Sequence, residues 1–402
     1  MTAVVVSGYT VGLSVARALG RMGVPVVVLH YDQRDIAQVS RYATASFDVP
    51  HPEHAERRFL EALERLGTQF PGAVLFPATD EALVTVSRHK ERLSGQYRVA
   101  CSDWSVTSRL IEKQDTYAVA AAAGVPAPAT LTPRSLEEAA AYGATVAFPI
   151  LVKPSQGHRF YERFKQKMIR VGDVAEMLAV YRAAADAGLE VMLQELIPGD
   201  DEQVVNYNAY AADGEVLVEF TADHIRSAPP LLGSPRVARS RHIPEVIEPG
   251  RRLLRAFGFS GYACTEFKRD PRDGVYKLME VNGRHNLSTA LAVHCGINFP
   301  WLHYLHLVLG LRPQGSAYRC GVYWIDLERD VAYSAKCLRV ERYTLGQYLR
   351  PYFSPHVFAS LDWKDPLPFL KRGWFLLRTA VLGSLAALRP VATRARALEA
   401  RS

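Results

Sequence analysis

Short runs of β-branched residues alternate with helix-like periodicity through the first hundred residues, and this alternation restricts the fold more than any other feature. Apolar residues recur at helical spacing in 11–22 and 54–66. Four strands are predicted, at AVVVS, VPVVVLHYD, GAVLFPATDEA and YRVACS. Strands that alternate with helices form a parallel sheet, because each crossover helix carries the chain back to the same end of the sheet. We therefore expect a parallel α/β domain at the N-terminus.

Two hairpins dominate the middle of the chain. The segment QVVNYNAYAADGEVLVEFTADH turns at Asp213-Gly214, and GYACTEFKRDPRDGVYKLMEVNGR turns at Asp273-Gly274. Asp-Gly favours tight turns between antiparallel strands, so an α+β region is predicted after the α/β domain. With 402 residues the chain exceeds what one hydrophobic core holds. The predicted division is an N-terminal domain, a small lobe, a second lobe and a C-terminal extension, at residues 1–105, 106–190, 191–312 and 313–402.

Composition excludes several classes of protein. The net charge is +7, but residues 371–402 hold seven Lys or Arg against one acid, so a surplus of six lies in the tail. The body is nearly neutral, which predicts no nucleic-acid binding. The five cysteines are scattered without a CxxC pair, so no zinc site or disulfide framework is expected. No apolar run is long enough to span a bilayer and no leader is evident, so a cytoplasmic protein is expected.

The basic tail suggests a contact with an anionic surface. An apolar stretch that contains Trp374 and Phe375 lies between basic residues. This pattern is typical of an interfacial helix, and it predicts peripheral contact of residues 371–402 with the inner membrane face. Two alternatives are a helix packed on the body and a contact in a homodimer.

Two glutamates occupy the two arms of the second hairpin. With the turn at Asp273-Gly274, Glu266 and Glu280 lie nearly opposite each other, among apolar neighbours. Like charges held across a hairpin repel, so a cation is expected between them. Asn282 follows Glu280 by two residues and lies on the same face. Carboxylate and amide oxygens are suitable ligands for Mg²⁺ (or Mn²⁺).

Two other segments suggest nucleotide chemistry. Lys153 ends an apolar strand, so its ammonium either lies beside an anion or points into a cleft. The turn SGYTVG follows the first strand but lacks the third glycine of GxGxxG, and Asp32 ends the second strand. A nicotinamide-dependent oxidoreductase is therefore one alternative, and tight strand–helix packing is the other.

At this point the chain resembles a known family. Lys113, FPILVKP, QELIPG, EFKRDPRDG and LMEVNGR occur in the order and at the spacing of the ATP-grasp ligases. The resemblance covers residues 1 to about 310, and it is greatest to the carboxylate–amine ligases related to D-aspartate ligase. It implies the ATP-grasp fold, with an N-terminal parallel α/β (pre-ATP-grasp) domain and ATP held between the two following lobes.

The resemblance also implies a role for each matching residue. Lys113 and Lys153 bind the ATP phosphates, and Arg226 and Arg284 contact the acyl phosphate and the transferring phosphoryl group. Glu266, Glu280 and Asn282 hold Mg²⁺. The hinge strand contacts the adenine edge through Gln194, Glu195, Leu196 and Ile197. Glu202 holds the ribose hydroxyls.

The function implied is ADP-forming ligation of a small-molecule carboxylate to an amine. Phosphorylation converts the carboxylate into an acyl phosphate, which an amine displaces. Rivals are a thiol or phosphate ligase or a carboxylase on the same fold, the oxidoreductase, and a non-catalytic ATP-binding scaffold at the membrane. One departure from the family is the flap after Lys153, where basic residues such as Arg163 and Lys165 replace glycines. His285, next to Arg284, is the best candidate general base among the histidines.

Overall fold

The computed structural model describes residues 1–6, 9–154, 157–166, 168–229, 233–340 and 343–387. Among the basic residues of the flap after Lys153, the side chains of Arg159 and Lys167 lie outside the described ones, and so do the tail arginines after residue 387.

A five-stranded parallel sheet forms the N-terminal domain, in the order β3-β2-β1-β4-β5. Val4 of the central strand is paired with Val27 on one side and Leu75 on the other. Helices cover both faces, which explains why these strands are continuously apolar. The elements are β1 Ala3–Val6, α1 Tyr9–Gly20, β2 Val26–His30, β3 Ala43–Asp48, α2 Glu56–Gln69, β4 Val74–Pro77, α3 Asp80–Arg88, α4 Lys90–Leu93 and β5 Arg98–Val99.

The edge strand β3 is absent from the sequence prediction. Its sequence ATASFD has few large apolar residues, and its side chains alternate between half-buried and exposed. Such a strand depends on pairing with β2 rather than on a signal of its own.

A four-stranded antiparallel sheet follows, in the order β6-β9-β7-β8. The strand β9, which the predicted division assigned to the second lobe, is paired with β7 through Leu151 and Gln194. We therefore propose that the small lobe extends to residue 195. Its elements, with the two helices that lead into it, are α5 Trp104–Ile111, α6 Lys113–Ala122, β6 Thr130–Leu131, α7 Leu136–Gly143, β7 Ile150–Pro154, α8 Gly157–Phe164, β8 Ile169–Val171, α9 Val174–Asp186 and β9 Val191–Glu195.

A seven-stranded sheet carries both predicted hairpins, in the order β14-β13-β10-β11-β12-β15-β16. At the first hairpin Asp213 has φ 50° and Gly214 has φ 80°, the left-handed pair that a two-residue turn requires. The elements are β10 Val204–Ala212, β11 Glu215–Ala228, β12 Ser234–Ser240, α10 Ile247–Phe257, β13 Gly261–Arg269, β14 Tyr276–Asn282, α11 Thr289–Cys295 and α12 Phe299–Leu309.

The C-terminal extension completes this sheet. Its two strands are added beyond β12, and its last helix packs back on the N-terminal domain. Arg17 of α1 donates to Asp365 at 2.8 Å in a buried ion pair that ties the two ends of the chain together. The elements are β15 Tyr323–Ile325, α13 Leu327–Val340, α14 Leu345–Phe353, β16 His356–Phe358 and α15 Leu367–Ala387.

Two of the basic residues assigned to the predicted interfacial helix point inward. Arg372 is buried and lies 2.8 Å from Asp326, and Lys371 Nζ donates to the Asp35 carbonyl at 2.7 Å. These two cations hold α15 to the protein, so the prediction that they face a membrane is wrong. Among the described residues, no helix combines the length and the apolar character that crossing a bilayer requires.

Candidate active site

Glu266 and Glu280 are paired in register across the β13–β14 hairpin, as the turn position predicts. Asn282 lies opposite Cys264 on the same two strands, and its Nδ2 donates to Glu280 Oε1 at 2.8 Å. Burial and the neighbouring Glu280 carboxylate raise the pKa of Glu266 to about 8. A carboxyl group in this position is relieved by a bound cation, which replaces the repulsion with attraction.

Lys153 lies at the end of β7, close enough to both glutamates for their charges to act on its pKa. Burial and the nearby Lys113 lower the pKa of Lys153 to about 8, against the opposing effect of Glu280 and Glu266. Its Nζ donates to Oε1 of the fully buried Gln194, whose Nε2 donates to Thr130 Oγ1 at 2.9 Å. The small lobe thus directs a cation toward the two carboxylates of the large sheet.

A cavity of about 230 Å³ adjoins these residues. Its lining includes Lys113 at the start of α6, together with Asp80, Tyr117, Glu280 and Asn282. Tyr117 Oη donates to the Met279 carbonyl at 2.9 Å, which joins α6 to β14. Burial raises the pKa of Tyr117 to about 12, so its phenol stays neutral.

The predicted hinge residues follow the small sheet into the large one. The Glu195 carboxylate is occupied by Arg272, and it lies 3.6 Å from Lys277. Leu196 is half-buried and Ile197 is fully buried, so these two side chains pack against the protein.

Glu202 lies in the short turn Asp201–Gln203 that precedes β10. Partial burial and the neighbouring Asp200 raise the pKa of Glu202. On the adjacent strand Lys268 donates from Nζ to the Gly199 carbonyl at 3.1 Å, and burial lowers its pKa. Lys268 also acts on the Glu266 carboxyl, and sequence reasoning missed it although it follows Glu266 by two residues.

Arg284 joins this site to the N-terminal domain. Its Nε and Nη2 donate to the two oxygens of Asp80 at 2.7 and 2.6 Å, and Nη2 lies 3.4 Å from Asn282 Oδ1. Asp80 begins α3, more than two hundred residues earlier, and no local signal marks it as a site residue.

Arg226 is not brought to this cluster by any described contact. Its side chain is fully buried, its Nη2 donates to Asp330 at 2.8 Å, and its guanidinium lies 4.4 Å from the centre of the Tyr348 ring. Arg236 shares the same carboxylate at 2.9 Å. In this arrangement Arg226 ties β11 to α13 and α14, so its predicted contact with an acyl phosphate is not supported.

His285 is also buried and belongs to the packing. Burial, reinforced by the adjacent Arg284, lowers the pKa of His285 to about 3. Its ring is stacked on Tyr262 with 4.2 Å between centroids. A neutral imidazole held this way is a poor general base near neutral pH.

Comparison with known proteins shows which enzymes this chain is similar to. D-aspartate ligase of Enterococcus faecium (strain Aus0004) is 28% identical over 267 residues, and the match covers 61% of each chain. The solved L-amino acid ligase from Bacillus licheniformis superposes with a TM-score of 0.57 at 17% identity, over 76% of this chain and 73% of that one. Biotin carboxylase from Campylobacter jejuni, solved as a complex with βγ-ATP, reaches a TM-score of 0.64 at 14% identity, over 80% and 74%. The chain has the ATP-grasp fold.

No protein-family model matches the chain. The chain spans about three fifths of the length of the D-aspartate ligase that it matches. The solved structures are 17% and 14% identical to the chain, so they show its fold and not its activity.

Proposed function

We propose that this ATP-grasp chain is an ADP-forming ligase that uses ATP and Mg²⁺ (or Mn²⁺) to activate a carboxylate and join it to an amine. The observation that supports this best is the register pairing of Glu266 with Glu280, with the Lys153 ammonium directed at both. Paired carboxylates facing a buried lysine suit a magnesium–triphosphate complex, in which the metal satisfies the acids and the phosphates satisfy the lysine.

Glu266, Glu280 and Asn282 would hold the metal through carboxylate and amide oxygens. The raised pKa of Glu266 and its like-charged neighbour are the features of this chain that fit a cation. When bound, Mg²⁺ would neutralise the charge that develops on the transferring phosphoryl group. Lys113 and Lys153 would bind phosphate oxygens.

Arg284 would orient the carboxylate that is to be phosphorylated. Its guanidinium is fixed by Asp80 and lies next to Asn282, so an anion that reaches it is close to the proposed metal ligands. Phosphoryl transfer depends mainly on such positioning and on charge neutralisation. In the proposed reaction the carboxylate oxygen attacks the γ-phosphorus and ADP leaves. The amine then attacks the acyl carbon and inorganic phosphate leaves, with the excess proton passing to solvent.

The residues from Gln194 to Ile197, with Glu202, would hold the nucleoside. Gln194 is committed through its side chain to Lys153 and Thr130, which leaves the backbone after β9 for the adenine edge. Glu202 lies at the start of the large sheet, where a carboxylate can accept from ribose hydroxyls.

The oxidoreductase alternative requires Asp32 to accept from a ribose. Arg34 Nε donates to both oxygens of Asp32, at 3.0 and 2.9 Å, so that carboxylate already has a partner. A carboxylase is the second alternative, because biotin carboxylase shares the fold. The D-aspartate ligase likeness in sequence favours C–N bond formation over carboxylation.

We also propose that the outer face of α15 rests on an anionic membrane. Leu367, Leu370, Trp374 and Leu377 recur at helical spacing on that face, and each is more than half exposed. An exposed apolar stripe followed by basic residues fits an interfacial helix. The alternative is that a second copy of the chain covers this face in a homodimer.

ADP release measured over pairs of carboxylate and amine substrates tests the main proposal. We expect release that requires Mg²⁺ and both substrates, with amide product equal to ADP. Calorimetry with NADH serves as the control, since tight NADH binding in the absence of ATP binding would support the oxidoreductase and overturn the ligase.

A further inference from the structure

A second cavity of about 700 Å³ lies on the N-terminal domain. It is lined by residues that follow three strands of the parallel sheet: Tyr9 after β1, Asp32 after β2 and Thr79 after β4. The sheet order β3-β2-β1-β4-β5 reverses direction between β1 and β4. Ligands of open α/β sheets bind at the carboxyl ends of the strands where the order reverses, so this cavity has the position and size of a small-molecule site.

Asp80 lines both this cavity and the smaller one that contains Lys113 and Glu280, and its ion-pair partner Arg284 lines the larger cavity. The pair is bidentate, and Arg284 also reaches toward Asn282. A charged group that enters the larger cavity and contacts Arg284 therefore lies beside the proposed phosphoryl-transfer site. The two cavities are arranged as neighbouring parts of one site.

The third wall of the larger cavity comes from the C-terminal extension. Phe375, Leu376 and Thr379 of α15 line it. This part of α15 is fixed by Arg372, whose Nε donates to Tyr9 Oη at 2.9 Å and whose Nη2 lies 2.8 Å from Asp326. Tyr9 itself lines the cavity, so the hydrogen bond that anchors α15 also fixes α15 against the cavity wall.

The chemistry of the lining is mixed. Asp80, Glu81 and Arg284 provide charges of both signs, which suit an ammonium and a carboxylate. Phe375, Leu376 and Leu287 provide an apolar surface that would gain from covering a hydrocarbon side chain. A ligand that satisfies both parts has a zwitterionic head and an apolar body.

We infer that this cavity binds an amino acid substrate with an apolar side chain, and that α15 sets its specificity. The inference rests on the proposed ligase function and adds the substrate class and the wall that selects it. Arg284 and Asp80 hold the charged head beside the phosphoryl-transfer site. Phe375 and Leu376 contact the side chain, so the C-terminal extension acts as a specificity element.

The test uses the full chain and two readouts. Thermal shift and calorimetry first measure binding of a panel of amino acids with side chains from Ala to Phe and Trp, together with Asp and Lys. ADP release then gives KM for the same panel at saturating MgATP. Binding is measured on the wild type and on Glu280→Gln. Because this measurement does not depend on turnover, it distinguishes a failure of ligation from a failure of the cavity to bind an amino acid.

Two variants change the proposed wall in opposite directions. Leu376→Ala should raise KM for apolar amino acids of Leu size by about tenfold and shift preference toward larger side chains, as loss of a few methylene contacts predicts. Leu376→Trp should fill the cavity and exclude Phe and Trp. Leu377→Ala is the matched control, because Leu377 is 58% exposed and does not line the cavity. KM for ATP should stay within twofold in all three.

Three results would overturn the inference. One is that no amino acid of the panel binds to the wild type. Another is that only Asp or Lys binds, which would leave the apolar wall unused. The third is that the Leu376 variants, folded by thermal melting, select the same amino acids as Leu377→Ala does.

Discussion

Asp80 and Arg284 form a bidentate ion pair between the first residue of α3 and the loop after β14, with distances of 2.7 and 2.6 Å. The pair joins the N-terminal domain to the proposed catalytic lobe. Asp80 is half-exposed while Arg284 is largely covered, so the arginine depends on this carboxylate for its position.

Asp80→Asn should therefore impair catalysis more than folding. The variant keeps one oxygen but loses the charge-assisted pair, so Arg284 is held less firmly. We expect kcat/KM for the carboxylate substrate to fall about tenfold or more, since a hydrogen bond to a charged group contributes about 1.5–3 kcal/mol. Glu91→Gln, an exposed acid on the neighbouring helix α4 that does not line the cavity, is the control. A wild-type kcat/KM in Asp80→Asn would mean that Arg284 does not orient the substrate.

Glu280→Gln should abolish ADP formation while the fold remains intact. The change removes a proposed metal ligand from a phosphoryl-transfer site and keeps the size of the side chain. Glu280 is exposed on the edge strand, so its loss should cost little stability. Asn282→Ala should act in the same direction. Near-normal turnover of either variant at saturating Mg²⁺ would refute the assignment, and Glu215→Gln at the exposed start of β11 is the control.

Glu266→Gln should separate stability from metal binding. Without Mg²⁺ the variant is relieved of a half-buried acidic group beside Glu280, so its melting temperature should rise by a few degrees. Added MgADP should stabilise the wild type but leave the variant nearly unchanged. If both proteins respond equally to MgADP in thermal melts, the hairpin does not hold the metal.

Lys153→Met should weaken ATP binding or transition-state stabilisation by about 2 kcal/mol or more, the typical cost of removing a charge-assisted contact. Methionine keeps the length of the side chain but cannot donate to phosphate. Isothermal calorimetry with ATP and steady-state rates together measure the loss. If the ATP affinity and the steady-state rate both change by less than twofold, Lys153 does not bind the phosphates.

The pH dependence of nucleotide binding gives an independent check on Lys153. Its pKa is lowered to about 8 by burial and by Lys113, while Glu280 and Glu266 act in the opposite direction. Below pH 8 the ammonium is charged and attracts the triphosphate; above pH 8 it is neutral, and binding must take up a proton. ATP affinity of the wild type should therefore fall between pH 8 and 9.5, whereas Lys153→Met should show a flatter profile. A wild-type profile as flat as that of the variant would contradict the assignment.

The sequence predicts the elements that carry their own local signal. The Val-rich strands and the Asp-Gly turns are such signals, and the turn position predicts Glu266 nearly opposite Glu280. The observed pairing also depends on a register shift between Glu266 and Phe267. The strand β3 lacks one, because ATASFD becomes a strand only when β2 is beside it.

Long-range partners are the part that could not be predicted. Arg226 and Asp80 each acquire their role from a residue more than one hundred positions away, Asp330 and Arg284 respectively. An arginine at the end of an apolar strand looks the same whether its partner is a phosphate or a buried carboxylate. For Arg226 the resemblance to a family predicted a phosphate partner, whereas in the structure its partner is the carboxylate of Asp330.

The last prediction concerns the exposed face of α15. Deleting residues 371–402 would remove the buried Arg372 and its 2.8 Å pair with Asp326, so that truncation should destabilise the protein rather than merely release it from a membrane.

Leu370→Glu with Trp374→Glu is the sharper change, because both side chains are more than half exposed. The double variant should keep wild-type stability and activity but no longer sediment with anionic liposomes at low salt. Each basic residue near such a surface contributes about 1 kcal/mol and is screened by salt, so wild-type binding should weaken steeply as salt increases. Leu309→Glu, an exposed leucine at the end of α12, is the matched control. If the wild type never binds these liposomes the membrane proposal fails, and if the double variant instead abolishes a dimer seen in sedimentation, the occupant of this face is a second copy of the chain.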